Sequence, residues 1–443
     1  MTLLDKWAPR VIYQVFPDRF SAWPTPSPSD RATQRLPWNG HPIQFSHRRS
    51  DLTHRHRHQF TLMGGNLEGI RQRLSHLEDL GIDALYLTPI FEARSSHRYD
   101  TDDYHNIDPL LGTREDLQRL KADLSQRGML LILDGVLNHT SHYHPWLQSE
   151  PQYYLRTANG QPETWMGTGL LPKLNPENPG LQQALLSILD AWPEADAWRL
   201  DASHLIARKF LRRLRHHLGP QKLVIGEDWD DARYDLKEGI YDGHTNFAFQ
   251  KHALALLQGD CSPETFIRRM SVVYEGYPWS AVCLSWNLLG NHDTDRVFSK
   301  VGERDAFLTY ARLLQVTLPG TPLIYYGDEY GMPGWGDWGA RGPMVWSPNK
   351  KQRKRYEELK KLLSLRKAHP VLVDGNINFL YASNQERTLV WERTKKGERI
   401  LVGLNLGPNS VTWRDGGENF VIPAATGAIR DCKKNGQIFF PTP

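Results

Sequence analysis

The segment Asp196-Ala-Trp-Arg-Leu-Asp201 sets an arginine and an aspartate two positions apart at the end of a short apolar run. On an extended chain such residues share one face, and a guanidinium beside a buried carboxyl favours the ionised form. Taken alone, Arg199 and Asp201 read as a structural ion pair. Three further segments change that reading. Leu130–Leu133 runs into Asp134-Gly-Val-Leu-Asn138-His139, Leu223–Ile225 runs into Gly226-Glu227-Asp228-Trp229, and Val282–Trp286 leads to Asn291-His292-Asp293. If these runs are parallel strands of one barrel, their C-terminal ends meet on one face, where active sites are built. Asp201, Glu227 and Asp293 then converge with His139, His292 and Arg199, and such a collection points to catalysis.

The elements that must position these groups are legible as alternating short apolar runs and amphipathic stretches. Val11–Phe16, Ala84–Leu87, Leu130–Leu133, Ala197–Leu200, Leu223–Ile225, Val282–Trp286 and Leu323–Tyr326 read as buried strands, with a weaker candidate near Tyr241–Phe247. Leu67–Leu80, Asp116–Arg127, Gly180–Trp192, Arg208–Leu218, Arg304–Thr317 and Gln352–Lys367 carry helical periodicity. This alternation predicts an α/β fold, a TIM (β/α)8 barrel. No G-x-G-x-x-G follows a strand, which argues against a dinucleotide-binding sheet. Two regions break the pattern. Residues 140–179, rich in Pro, Gly, Asn and Trp, predict an inserted excursion domain between two parts of the barrel, 1–139 and 180–369, and residues 370–443 predict a small C-terminal all-β domain.

Bulk properties narrow the function. The 54 basic and 50 acidic residues leave a formal charge of +4, too small to argue for nucleic acid. Cys261, Cys283 and Cys432 lie far apart, which suggests neither a disulfide framework nor a zinc site. The start of the chain lacks a signal-peptide pattern and no long apolar run occurs, so a cytoplasmic protein without membrane contact is expected. The run Ser46–His58, with alternating His54, His56 and His58, is the compositional oddity and reads as a solvated loop rather than a transition-metal site.

The combined segments resemble the α-amylase-type glycoside hydrolases over roughly residues 8–370. Asp134–His139 is similar to the first signature of that family, Ala197–Asp201 to the second (with Ala197 in place of glycine), Gly226-Glu227 to the third and Asn291–Asp293 to the fourth. Gly320–Gly331 is similar to its last-strand motif, and His97–Pro109 to the segment after its second strand. The resemblance implies that Asp201 is the nucleophile, Glu227 the general acid/base and Asp293 the group that holds substrate hydroxyls. It further implies that His139 and His292 donate to the same sugar, that Tyr99 lies beneath it, and that Arg296 and Asp337 add hydroxyl contacts while Arg341 supports the loop. A retaining glycosidase needs one ionised and one protonated carboxyl. Arg199 is expected to keep Asp201 ionised, whereas Glu227, without a basic neighbour in the sequence, is expected to be raised by Asp228 and Trp229.

Within the family, Glu227-Asp-Trp229-Asp-Asp-Ala232 and Leu171-Pro-Lys-Leu-Asn175 resemble neopullulanases and cyclomaltodextrinases. His204 and Leu205, three and four residues past the proposed nucleophile, and the run Val11–Phe20 look most like maltodextrin glucosidases. The expected activity is hydrolysis of α-1,4 bonds in maltodextrins by double displacement. The alternatives are a cyclomaltodextrinase, neopullulanase or α-amylase, and a 4-α-glucanotransferase with the same carboxylates. The resemblance implies that His204 and Leu205 contact the leaving-group side of the cleft and that Trp229 binds substrate. The chemistry requires no cofactor. Calcium stays open, because Asn138 matches a ligand position in calcium-dependent members but the wider ligand set is not recognisable. The chain starts at its first barrel strand, without the preceding β domain of the neopullulanase group, so a monomer is expected.

Overall fold

Parallel strands covered on both faces need apolar residues at consecutive positions, not alternate ones. In the computed structural model, which describes residues 2–22, 62–167, 169, 171–416, 418–433 and 436–440, such runs form eight strands. They are β1 (Ile12–Val15), β2 (Ala84–Leu87), β3 (Leu130–Gly135), β4 (Ala197–Leu200), β5 (Leu223–Gly226), β6 (Gly243–His244), β7 (Trp286–Leu288) and β8 (Thr321–Tyr325). Their order is β6-β5-β4-β3-β2-β1-β8-β7, with every pair parallel. A parallel bridge from Thr245 to Trp286 joins the two ends, and the Asn246 amide donates to the Trp286 carbonyl at 2.9 Å. The result is the expected (β/α)8 barrel. The Ser46–His58 run lies outside the described residues.

Alternation along each strand sorts side chains between two environments. Ile12, Ala84, Ile132, Ala197, Ile225 and Leu323 pack together inside the barrel, whereas Tyr13, Leu85, Leu131, Trp198 and Val224 pack outward against the helices. Two residues further along the inward face, the register pairs Gln14 with Tyr86 and Asp134 with Arg199, so the interior turns polar toward the C-terminal end of the strands.

The helices depart from expectation at particular places. Helix Arg208–Leu218 is as expected, but Leu67–Leu80 is two helices, Leu67–Arg71 and Leu74–Leu80. The buried residues Leu67, Ile70, Leu74 and Leu77 keep the same period across the break, which is why periodicity missed it. The run Val282–Trp286 is not one strand. A helix over Trp279–Leu284 precedes β7, because a short apolar run is equally compatible with a buried helix turn. Helices Phe247–Gln258 and Pro263–Gly276 escaped the reading. Asn246 and Ser262 cap them through their side chains, and Pro263 opens the second, so start signals were present.

Between β3 and helix Pro179–Asp190 the chain makes a separate excursion, pinned by antiparallel bridges His139–Lys173, Tyr154–Leu174 and Thr164–Pro172. Beyond helix Lys350–Ala368 come β9 (Asn376–Ser383), β10 (Thr388–Lys395), β11 (Glu398–Asn405), β12 (Val411–Asp415), β13 (Glu418–Ile422), β14 (Thr426–Asp431) and β15 (Gly436–Phe440). The sheet β9-β10-β11-β14-β15 is antiparallel, and Phe420 and Ile422 of the β12–β13 hairpin pack on its Val390, Leu401 and Ala428.

Two buried arginines fasten this sheet to the closed end of the barrel. Arg366 donates to the carbonyls of Val316, Leu372 and Gly320 at 2.7–2.9 Å, and Arg393 to those of Thr317, Leu372 and Gly375 at 2.7–3.0 Å. Neither has a carboxylate partner among these bonds, so backbone carbonyls alone solvate both charges. Arg393→Met leaves the buried carbonyls of Thr317 and Gly375 short of a donor, at about 1–3 kcal/mol each before relaxation, while that of Leu372 keeps Arg366. The expected outcome is a thermal unfolding midpoint several degrees lower, measured by circular dichroism, with the folded-state spectrum at 25 °C unchanged.

Candidate active site

The polar end of the barrel is organised by Arg199, whose inward position on β4 is set by its register with Asp134 on β3 and Ile225 on β5. Its Nη1 reaches Asp134 Oδ1 at 2.9 Å and Asp201 Oδ1 at 3.0 Å, and its Nη2 reaches Glu227 Oε1 at 2.8 Å. Both carboxyl groups singled out at the ends of β4 and β5 thus sit on one buried guanidinium. Glu227, without a basic neighbour in the sequence, gains one in the fold. The neighbour is far off in sequence and comes through strand pairing.

The backbone adapts to this arrangement at two points. Ala202, directly after Asp201, takes a left-handed conformation (φ +44°), which is rare for a residue with a side chain. Its amide thereby donates to Glu227 Oε2 at 2.7 Å. Gly226 lies so close to Tyr241 that a Cβ would stand 2.6 Å from the ring. Trp229 completes the surroundings of Glu227, with Nε1 3.2 Å from Oε1 and its ring stacked 3.8 Å from Phe247.

The electrostatics of Asp201 pull two ways. Burial raises its carboxyl well above the ordinary range, and Glu227, Asp134 and Asp293 add to this. Arg199 opposes them and favours the ionised form, as expected of a guanidinium 3.0 Å away. Asp293 goes the other way. Burial works against its ionisation, but His292 and Arg341 hold it below the usual carboxylate range. His292 Nε2 lies 3.0 Å from Asp293 Oδ2, and Arg341 Nη2 donates to Oδ1 at 3.1 Å.

Tyr99 lies parallel to the His292 ring at 5.3 Å, and its hydroxyl contacts Asp134 Oδ2 at 2.8 Å and His292 Nε2 at 2.6 Å. Gln14 bonds the other nitrogen of His292 at 2.8 Å, and Tyr86 donates to Asp134 Oδ2 at 2.7 Å. His139 is buried, and burial pulls its imidazole down to about 4, so it is neutral at physiological pH. Its Nε2 has no hydrogen-bond partner among the described residues, while Nδ1 faces the Asn138 amide at 3.2 Å. His204 is exposed, with Nδ1 3.3 Å from the Glu227 carbonyl.

Two predicted site residues fall elsewhere. Arg296 is fully buried, bonded to the Tyr326 carbonyl at 2.7 Å and to Asp328 at 3.1 Å, and has no surface to offer a sugar. Asp337 is half-buried in helix Gly336–Ala340, and it is Arg341, just after that helix, that reaches Asp293. Arg341 therefore does more than support the loop. Gln14, Tyr86 and Asp134 were missed as site members, although each occupies the inward parity of its strand, the one signal that could have found them. As for calcium, Asn138 is buried against His139, and no cluster of three or more acidic, histidine or cysteine ligands exists among the described residues.

Comparison with known proteins agrees with this geometry. Residues 14–347 match the family described as Alpha amylase, catalytic domain. The chain is 34% identical to Neopullulanase 2 of Thermoactinomyces vulgaris over 424 residues, 90% of this chain and 70% of that protein. It is likewise 34% identical to Cyclomaltodextrinase of Geobacillus thermopakistaniensis (strain MAS1), over 89% of this chain and 68% of that one. Among solved structures it is similar to the cyclic alpha-maltosyl-(1→6)-maltose hydrolase from Arthrobacter globiformis, with TM-score 0.84, 28% identity and coverage of 96% of this chain and 99% of that chain. With a family match across most of its length and a barrel whose carboxylates stand at the ends of β4, β5 and beyond β7, the chain belongs to the α-amylase family of glycoside hydrolases.

Proposed function

We propose that this enzyme hydrolyses α-1,4 bonds of maltooligosaccharides by double displacement with retention of anomeric configuration. The observation that carries the proposal is the shared guanidinium of Arg199, which keeps Asp201 and Glu227 as close neighbours. Retaining glycosidases hold their two carboxyl groups about 5–5.5 Å apart, whereas inverting enzymes leave room for a water between them. In the first step an Asp201 oxygen attacks the anomeric carbon, the glycosidic C–O bond breaks and the Glu227 proton goes to the departing oxygen. In the second step Glu227 takes a proton from water, the water oxygen bonds the anomeric carbon and the Asp201 ester bond breaks. Asp293, held ionised by His292 and Arg341, is suited to accept hydrogen bonds from sugar hydroxyls. The unmet Nε2 of His139 gives it a reason to bond a hydroxyl as well.

Relatives named neopullulanase and cyclomaltodextrinase favour that branch of the family for substrate choice over a maltodextrin glucosidase. The similarity to a hydrolase of a cyclic maltosyl-maltose supports small cyclic glucans as a second substrate class. A product time course on maltotriose, maltoheptaose, β-cyclodextrin and soluble starch tests this directly. Ring opening followed by short linear products is expected, with the α-anomer appearing first by NMR. Early β-anomer would overturn retention, and products longer than the input would move the assignment to a transferase.

Two variants follow from the site. Asp201→Asn is expected to lower turnover by on the order of 10⁴-fold or more. It is also expected to raise stability at neutral pH. A carboxyl raised by folding binds more protons folded than unfolded, so its contribution falls as pH climbs from about 4 toward the raised folded value. Removing the charge removes that loss. Calorimetry should give the variant the higher unfolding midpoint at pH 7, with the gap closing toward pH 4, and a lower midpoint at pH 7 would contradict the electrostatic account. Glu227→Gln is expected to slow maltooligosaccharide hydrolysis by about 10²–10⁴-fold, while nitrophenyl α-glucosides, whose leaving group departs without a proton, lose far less in the burst phase of a stopped-flow trace. Equal losses on both substrates would remove Glu227 from the acid role.

A further inference from the structure

Large apolar side chains left in solvent are unevenly placed on this enzyme. Among the described residues, Tyr143, Met166, Leu205, Trp229 and Tyr234 lie in segments that follow β3, β4 and β5, the face that carries the carboxylates, while Val272, Val421 and Ile438 lie elsewhere. Exposed apolar surface gathered on one face marks a binding region more often than scattered residues do. Trp229 already belongs to the site through Glu227. The two tyrosines do not touch it, and they share a construction.

Tyr143 is 61% exposed, with the Arg94 guanidinium 3.7 Å from its ring centroid. Arg94 is held in turn by Asp102, Nε to Oδ2, at 3.1 Å. Tyr234 is 49% exposed, with the Arg208 guanidinium 4.4 Å from its ring and Arg208 Nε donating to Asp235 Oδ1 at 2.6 Å. In each case a cation pinned by a carboxylate braces a half-open aromatic ring, with His142 edge-on to Tyr143 and Arg212 Nη2 donating to the Tyr234 hydroxyl at 3.3 Å. Bracing limits the entropy lost when a ligand settles on the ring. The apolar face of a pyranose is a ligand of suitable shape for a rigid, half-open phenol.

Chain geometry ties both rings to the catalytic centre. Tyr143 lies four residues past His139, within about 14 Å even for a fully extended chain, and Tyr234 lies five past Trp229, within about 18 Å. The segment after β4, which carries Asp201, runs between the two strands whose loops hold the tyrosines.

We propose that Tyr143 and Tyr234 are outer sugar-stacking positions on either side of the carboxylates, engaged by glucose units of an α-glucan chain that extends beyond the bond being cut. The inference rests on the glycosidase reading above and adds a determinant of substrate length to it.

The test compares Tyr143→Ala and Tyr234→Ala with Tyr143→Phe and Tyr234→Phe, on maltotriose and on maltoheptaose. Each alanine variant should lose about two- to tenfold in kcat/KM on maltoheptaose, the range of a single aromatic contact, and stay within about twofold on maltotriose. The phenylalanine variants should match wild type, since the ring is kept. In the Asp201→Asn background, calorimetric titration with maltoheptaose should show the same losses in affinity. An active wild type whose alanine variants treat both sugars alike would overturn the stacking positions and leave the glycosidase reading intact. A wild type inert toward both sugars would overturn both. A change in oligomeric state by sedimentation, with length dependence unchanged, would assign the rings to contact with a second copy of the chain and also overturn the proposal.

Discussion

A single buried cation organises the working end of this barrel. Arg199 meets Asp134, Asp201 and Glu227 at 2.8–3.0 Å, and all four groups are shut away from bulk water. Buried charges are tolerated only when paired and hydrogen-bonded, and removing the guanidinium would leave three acids with a desolvation cost that nothing nearby repays. The constraint acts in both directions. The register of β3, β4 and β5 must hold for the guanidinium to reach three acids, and the acids in turn make any other register unfavourable. Tyr86 and Tyr99, whose hydroxyls both meet Asp134 Oδ2, extend the same network to β2 and to the His292 side of the cleft.

The network is nevertheless short of positive charge. Asp201 is pushed up by burial and by its acidic neighbours, Ala202 sits in a strained backbone conformation, and Gly226 has no room for a side chain. Each feature works against stability, and each serves the placement of Asp201 and Glu227. Proteins commonly depart from local rules at their functional sites and make up the difference elsewhere. Here the compensation is visible in the apolar packing inside the barrel.

Much of the scaffold was readable because its physics is local. Consecutive apolar residues announced the strands, and a helical period announced Arg208–Leu218 and its counterparts. The failures have equally local causes. A period continued across Gln72–Arg73 hid a break, and the short apolar run before Trp286 suited a helix as well as a strand. Among the described residues no helix is long and apolar enough to cross a membrane.

The candidate site divides along the same line. Residue types at strand ends, together with the parity of Arg199 and Asp201, were enough to nominate Asp201, Glu227, Asp293, His139 and His292, because convergence at one end is a property of any parallel barrel. What the sequence by itself determined was therefore which chemical groups stand at the strand ends. It could not assign Arg199 to Glu227 or Arg341 to Asp293, nor withdraw Arg296 into the interior, since those contacts depend on strand stagger and loop path over separations of tens of residues. The raised carboxyl of Asp201 lies beyond sequence for the same reason. A pKa answers to burial and to the sum of all nearby charges, and that sum exists only once the chain is folded.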